Sequence, residues 1–297
     1  MESSDLKAAA NNFVMSSDQL HAFFEKIMKN TPLMGPRERP DQPGYHHFDW
    51  LNDPEDLVFQ YTTTTIPPKK AFFPPVETLF SFKLGDPPEF QQIKDETPFV
   101  LACVHPCDLA AIESLDMAFS VHPPDRRWLE NRGRASIIGI DCFPDEYCFC
   151  SSMNTCNARK PCDLFLTQID RGWLVEVHTK AGQELLENAP KEDIKKTDLE
   201  DGSRWRRRKI EKIKNELNVG VAEFADILDA GGLAAVWKEI ADRCYSCGSC
   251  NTTCPTCFCF NKSDEFDISL TGGTRKRTWD SCQLPEFAMV AGEHNFR

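Results

Sequence analysis

An α/β (or α+β) body followed by a C-terminal domain rich in helix and loop is the fold class this sequence predicts, and three observations predict it. An apolar strand, a helix and a second apolar strand succeed one another over residues 97–141, the pattern of a βαβ unit. Two helical stretches separated by Gly231-Gly232 then lead directly into residue 244. There Cys244, Cys247, Cys250 and Cys254 stand at C-x2-C-x2-C-x3-C and are followed at once by Pro255, the bacterial ferredoxin run for a cubane iron–sulfur cluster. The C-terminal domain is therefore expected to be ferredoxin-like. A boundary near residue 218 divides a body at 1–218, with a helical N-terminus and a cysteine-rich segment at 142–162, from a lead-in and iron–sulfur domain at 219–297.

The run has a chemical reason for its spacing. Thiolates two residues apart can wrap one face of a cubane while backbone N–H groups point at its sulfides, and Gly248 and Ser249 are small enough to permit that approach. The fourth cysteine of such a run commonly ligates a second cluster, so Cys254 implies a neighbour. Pro255 turns the chain away. Zinc is the alternative, since Cys244/Cys247 and Cys254/Cys257 also form two C-x2-C pairs, but their spacer is far shorter than that of a zinc ribbon.

Composition narrows the rest. The chain has 297 residues, 41% hydrophobic and 27% charged, which suits a folded protein with a substantial core. Its 14 cysteines sit in a long chain whose start, MESSDLKAAANNF, lacks a basic region followed by an apolar one, so a reducing cytoplasm is expected. No segment approaches the length of a membrane span. A formal net charge of -12 argues against nucleic acid as a partner. The basic run Arg204, Arg206, Arg207, Arg208, Lys209, Lys212 and Lys214 reads as a solvated helix face paired with Glu211 and Glu216, or as a dock for an acidic subunit.

In chain order, residues 1–30 have helical spacing at Phe13, Leu20, Phe23, Phe24, Ile27 and Met28, with Ser17 or Asp18 as cap. The Pro-rich 31–44 is expected to be loop, and His46 and His47 structural. Residues 57–83 read as short strands with extended turns, the Pro67–Pro75 stretch being packed at a domain edge or presented as a docking ridge. GDPPEF at 85–90 closes that segment. In the βαβ unit Pro106 falls in the first helical turn, and Cys107 and Asp108 lie at the strand-to-helix junction, where Asp108 is expected to cap. Cys103 and Cys142 read as small core residues. A second cysteine cluster, Cys148, Cys150, Cys156 and Cys162, fits no standard template and is either metal-binding in part or a set of free thiols. GWLVEVHT is a strand, and helix is expected from about residue 179 to 217. Cys257, Cys259 and Cys282 exceed what one cubane needs and are expected to complete another cluster with Cys254, Cys148 or Cys150, or to stay free.

These motifs together, PPKKAFFPPVETLFSF, HPCDLAAI, CFCSSM, the run from Cys244 through CPTCFCF, WDSC and VAGEHNFR, resemble the iron–sulfur beta subunit of cytoplasmic sulfhydrogenases over about residues 65 to 297. The pattern is shared by the anaerobic sulfite reductase A subunit and by an iron–sulfur subunit of flavin oxidoreductase complexes that feed heterodisulfide reductases. The resemblance implies an electron-transfer subunit of anaerobic metabolism, not itself catalytic, carrying 4Fe-4S clusters. Its implied partners are a flavin- and NAD(P)-binding subunit and a terminal redox subunit of hydrogenase, sulfite reductase or heterodisulfide reductase type. It implies Cys244, Cys247, Cys250 and Cys254 as the first ligand run, and matches Cys148, Cys150, Cys257, Cys259 and Cys282 to further family cysteines. Family members continue to a second such run, whereas the sequence here ends at Arg297, so a second cluster is expected to be absent or to be completed by other cysteines or a partner.

Two other functions stay open at the level of sequence: a catalytic subunit with a substrate-accessible cluster or thiol site between Cys148 and Cys162 for sulfur or disulfide chemistry, and a zinc-stabilised interaction module. No G-x-G-x-x-G, Walker or G-x-S-x-G motif supports a nucleotide, flavin or acyl site.

Overall fold

A computed structural model describes residues 12–232, 234–287, 289–290, 292 and 294–295. Phe13–Met15 forms a strand, β1, rather than the start of a helix; the residues before Asn12 lie outside the described ones. Helix α1, Ser17–Asn30, is capped by Ser16, whose hydroxyl accepts the Gln19 N–H while the Gln19 side chain accepts the Ser16 N–H. This reciprocal pair places the cap one residue earlier than the sequence reading. Leu20, Phe23, Phe24 and Ile27 then face the core.

The Pro-rich stretch expected as loop is instead a hairpin of β2, Leu33–Arg39, and β3, Gln42–Trp50. Pro36 is tolerated because β2 pairs with its other neighbour only through Leu33 and Met34, so the missing N–H breaks no bond there. Its carbonyl still accepts the Val58 N–H at 2.9 Å.

The βαβ unit is present. β6, Phe99–Val104, leads into α2, Pro106–Ser120; α3, Arg126–Gly133, follows; β7, Ala135–Ile140, then lies parallel to β6. β8, Leu164–Ile169, which the sequence reading left unassigned, pairs parallel with β7 and antiparallel with β9, Gly172–Val177. With β10, Glu192–Asp193, the described strands form a mixed sheet in the order β10-β1-β9-β8-β7-β6-β2-β3. Gly139 in β7 makes room for the Phe165 ring, since a Cβ there would come within 2.5 Å of it and force the ring to shift.

A second, antiparallel sheet joins distant parts of the chain. Its order is β11-β12-β4-β5, with β4 at Val76–Lys83 and β5 at Glu89–Gln92, and with β11, Phe260–Phe266, and β12, Gly272–Trp279, coming from beyond the cysteine run. Arg277 of β12 is almost wholly buried and bonds Glu77 at 2.6 Å and Asp125, the cap of α3, at 2.7 Å. The Pro67–Pro75 stretch is packing, not a ridge: Phe72 and Phe73 are buried, and the Phe73 ring meets Phe119, Phe260 and Trp279. Phe73 therefore couples the body to the strands that flank the cysteines.

Helix α4, Lys180–Leu185, and helix α5, Lys196–Lys212, are separated by β10. The α5 face is not simply solvated. Arg204 pairs with Asp170 and Asp201, Arg206 with Glu176, and Lys209 points inward to Asp141, so the expected Glu211 and Glu216 partners are replaced by carboxylates of the body. Helices α6, Val221–Ala230, and α7, Ala235–Arg243, then deliver the chain to Cys244 while leaving Ile227, Leu228, Trp237 and Ile240 exposed. No helix among the described residues is long and apolar enough to cross a membrane.

Phe73→Ala is expected to cost about 3–5 kcal/mol, the usual range for truncating a buried aromatic. A urea midpoint that falls with unchanged slope would show it, and a loss below about 1 kcal/mol would mean that the surrounding rings collapse into the space.

Candidate metal centre

The cysteine run folds as a tight loop. Ser246 and Gly248 both take left-handed backbone conformations, at φ 51° and 73°, and the Ser246 N–H donates to Cys244 Sγ at 3.3 Å. Gly248 is required twice over, because its φ favours glycine and because a Cβ there would lie 2.9 Å from the Ser281 Cβ. A single helical turn, α8, Ser249–Thr253, carries Cys250 and ends at Cys254, just before Pro255. Cys244, Cys247 and Cys250 are exposed and Cys254 is half-buried. Ser249 Oγ lies 3.3 Å from Cys247 Sγ, and this hydroxyl, with the Ser249 N–H, holds the Cys247 thiol below its ordinary pKa.

Behind the loop, Cys254, Cys257, Cys259 and Cys282 form a connected set. Burial favours the neutral Cys254 thiol, but the Thr256 hydroxyl at 3.2 Å, the Thr256 N–H and the Cys257 thiol and N–H together outweigh it and lower the pKa. Cys257 is pushed up to about 11 by burial and by the neighbouring Cys254. Cys259 is raised by burial and then by Cys282, whose sulfur accepts the Asn251 side-chain N–H at 3.2 Å. Asn251 also donates to Ser281 Oγ at 2.9 Å, which fastens α8 to the WDSC segment.

The sequence reading missed the cation at this site. Lys69 is 2% exposed, and its ammonium donates to the backbone carbonyls of Cys254 at 2.8 Å and Cys257 at 2.6 Å while lying 4.5 Å from the Trp279 ring centroid. Burial lowers its pKa, and the Cys257, Cys254 and Cys259 thiols oppose that. Only its apolar flanks, Pro67-Pro68 before and Phe72-Phe73 after, hint in sequence that this lysine is buried.

The remaining cysteines lie in the body. Cys103 is core, in a left-handed conformation at φ 58° where the β6–β7 register slips, and its carbonyl accepts the Tyr61 hydroxyl at 2.6 Å. Cys156 and Cys162 are buried, the latter with its sulfur 2.7 Å from the Arg159 carbonyl oxygen. Cys142, expected in the core, is only half-buried. Cys148 and Cys150 have Cys142, Cys107 and Cys156 among their thiol neighbours. Asp108 lies inside the first turn of α2 rather than at its cap, which is His105 with no side-chain cap bond.

Among the described residues no three His, Cys, Asp or Glu side chains converge tightly enough to hold a single metal ion, as a closed zinc site requires. An iron–sulfur cubane gives each thiolate its own iron, so its ligands stand further apart. The residues fit that group: soft thiolate donors, an N–H directed at sulfur, glycine at the closest approach and a buried cation to offset an anionic cluster.

Residues 243–297 match the 4Fe-4S dicluster domain family. The sulfhydrogenase 2 beta subunit of Pyrococcus furiosus is 34% identical over 285 residues, which cover 95% of this chain and 83% of that protein. The C-terminal region is thus a 4Fe-4S domain on a mixed helix and sheet body.

In metal-free protein near pH 8, Cys247 is expected to alkylate well ahead of Cys257, because its lower pKa leaves more thiolate at that pH; mass mapping of the labelled peptides checks the order. Lys69→Met is expected to lower the midpoint potential of a C-terminal cluster by on the order of 100 mV, matching about 2–3 kcal/mol for unit charges a few ångströms apart at an effective dielectric of about 20. An unchanged potential in a redox titration would remove Lys69 from any tuning role.

Proposed function

The chain belongs to the family of sulfhydrogenase beta subunits, and from that premise we propose that it relays single electrons through its 4Fe-4S clusters between a flavin- and NAD(P)-binding subunit and a terminal redox subunit. As a member of that family it is an iron–sulfur electron-transfer subunit of a hydrogenase-type complex.

The observation that carries the reading is the Cys244–Cys254 run closed by Pro255, folded as a loop with an N–H directed at a thiol sulfur. In the proposed site Cys244, Cys247, Cys250 and Cys254 are the first ligand run, and Cys257, Cys259 and Cys282 are the ligands grouped behind it. The bound clusters supply the electron-accepting chemistry. The chain's own contribution is to hold the thiolates, to keep a positive charge at Lys69 beside them, and to leave part of the run near the surface, where an electron can pass to a neighbour. The exposed apolar residues of α6 and α7, immediately before Cys244, are a surface that fits a partner subunit. The burial of Cys156 and Cys162 counts against those two as substrate-accessible thiols.

Anaerobically purified protein is expected to be brown, to contain iron and acid-labile sulfide, and to bleach with dithionite. Replacing Cys244, Cys247 and Cys250 with Ser should remove about four irons per chain, the content of one cubane. The isolated chain should not oxidise NAD(P)H until a flavoprotein is added. Turnover by the pure chain, or a colourless zinc protein, would sink the reading.

A further inference from the structure

The body gathers a second set of thiols, outside the residues that match the dicluster domain. Cys107 is the second residue of α2, just beyond β6, and Cys142 stands two residues past the end of β7. Because β6 and β7 are adjacent and parallel, both thiols arrive at the same edge of the sheet, the end where open parallel sheets hold ligands. The loop that follows returns Cys148 and Cys150 to that edge. Cys142 and Cys150 both act electrostatically on Cys107, and Cys150 and Cys148 both act on Cys142.

This loop is held in place from the far side. Asn215 donates to the Glu146 carbonyl at 2.6 Å, and the Leu217 N–H donates to Ser152 Oγ at 3.0 Å. Lys209 of α5 is wholly buried and donates to Asp141 Oδ1 at 3.0 Å and to the Cys156 carbonyl. Cys142 and Cys150 are both within its electrostatic reach. The first turn of α2 lacks a side-chain cap, and the Asp108 N–H faces the Cys107 sulfur. The C-terminal site has comparable parts, a group of thiols, a backbone N–H directed at sulfur and a buried lysine, although Lys69 bonds two cysteine carbonyls where Lys209 bonds one and the Asp141 carboxylate.

We propose that Cys107, Cys142, Cys148 and Cys150 bind a further iron–sulfur cluster on the body of the chain, with Lys209 at the head of its buried counter-charge: the linked ion pairs of Lys209, Arg159 and Arg206 with Asp141 and Glu176 keep one net positive charge. Four thiolates around a cluster make a net anion, and an ammonium fixed beside it lowers the cost of holding that charge away from water. Zinc does not suit the same set, since no three ligand side chains among the described residues converge on one ion position. Each thiol that becomes a ligand releases one proton. The proposal stands apart from the reading of residues 243–297, and the two fail separately.

The test uses the full chain, prepared anaerobically, in three forms: wild type, Cys107→Ser/Cys142→Ser, and Cys244→Ser/Cys247→Ser/Cys250→Ser. Iron, acid-labile sulfide and zinc are counted, and EPR spectra are taken after dithionite reduction. The double variant is expected to lose about two or about four irons, for a two-iron or a four-iron cluster, together with one EPR component. The triple variant is expected to keep that same component, and Lys209→Met to move its midpoint potential and no other. The proposal is overturned by wild-type iron and spectra in the double variant, by zinc as the metal lost, or by a folded triple variant in which no component sensitive to Lys209→Met remains. Should the double variant fail to fold, the triple variant and Lys209→Met decide the question alone.

Discussion

The burial of Lys69 is the constraint on which the rest of the C-terminal site depends. An ammonium removed from water is costly unless its protons are bonded, and here the acceptors are two backbone carbonyls and a tryptophan ring rather than a carboxylate. Neutral acceptors satisfy its hydrogen bonds without cancelling its charge. The positive charge is therefore left for the anionic sulfur chemistry around it, which a Lys–Asp pair at the same place would largely neutralise.

That bond set also explains why the cysteine loop is not an independent appendage. Lys69 lies in the short turn Pro68–Ala71, whose neighbours Phe72 and Phe73 are buried in the main core. From the other direction, β12 lies against β4, and Arg277 reaches Glu77 and Asp125. The thiols at Cys254, Cys257, Cys259 and Cys282 are thus positioned by a sheet made from two distant stretches of the sequence, 76–92 and 260–279. A ligand set on such a scaffold keeps its shape when an electron arrives, as a relay requires. Cys107 and Cys142 show the same logic, being brought together by the ends of two parallel strands.

Much of this was legible in the sequence and some was not. The C-x2-C-x2-C-x3-C-P run, the glycine at 248, the strand–helix–strand unit and the helices on either side of Gly231-Gly232 all follow from local spacing, and local spacing is what a chain fixes before it folds. The Pro-rich stretch misled because proline excludes a strand only where its N–H is needed, and whether Pro36 needs one depends on how far β6 runs beside β2. The basic face of α5 misled because a run of like charges does not reveal that one lysine, Lys209, faces a buried aspartate.

The sequence by itself determined the cofactor chemistry, since soft thiolates at that spacing before a proline suit iron and sulfide. Only the tertiary structure decided how the cysteines are grouped. Cys254, Cys257, Cys259 and Cys282 converge through the β11–β12 hairpin, and the β6–β7 pairing brings Cys107 to Cys142, to which the following loop returns Cys148 and Cys150. The reason is physical: cysteines separated by tens of residues become neighbours only when strand pairing closes the loops between them, and no local pattern records that closure.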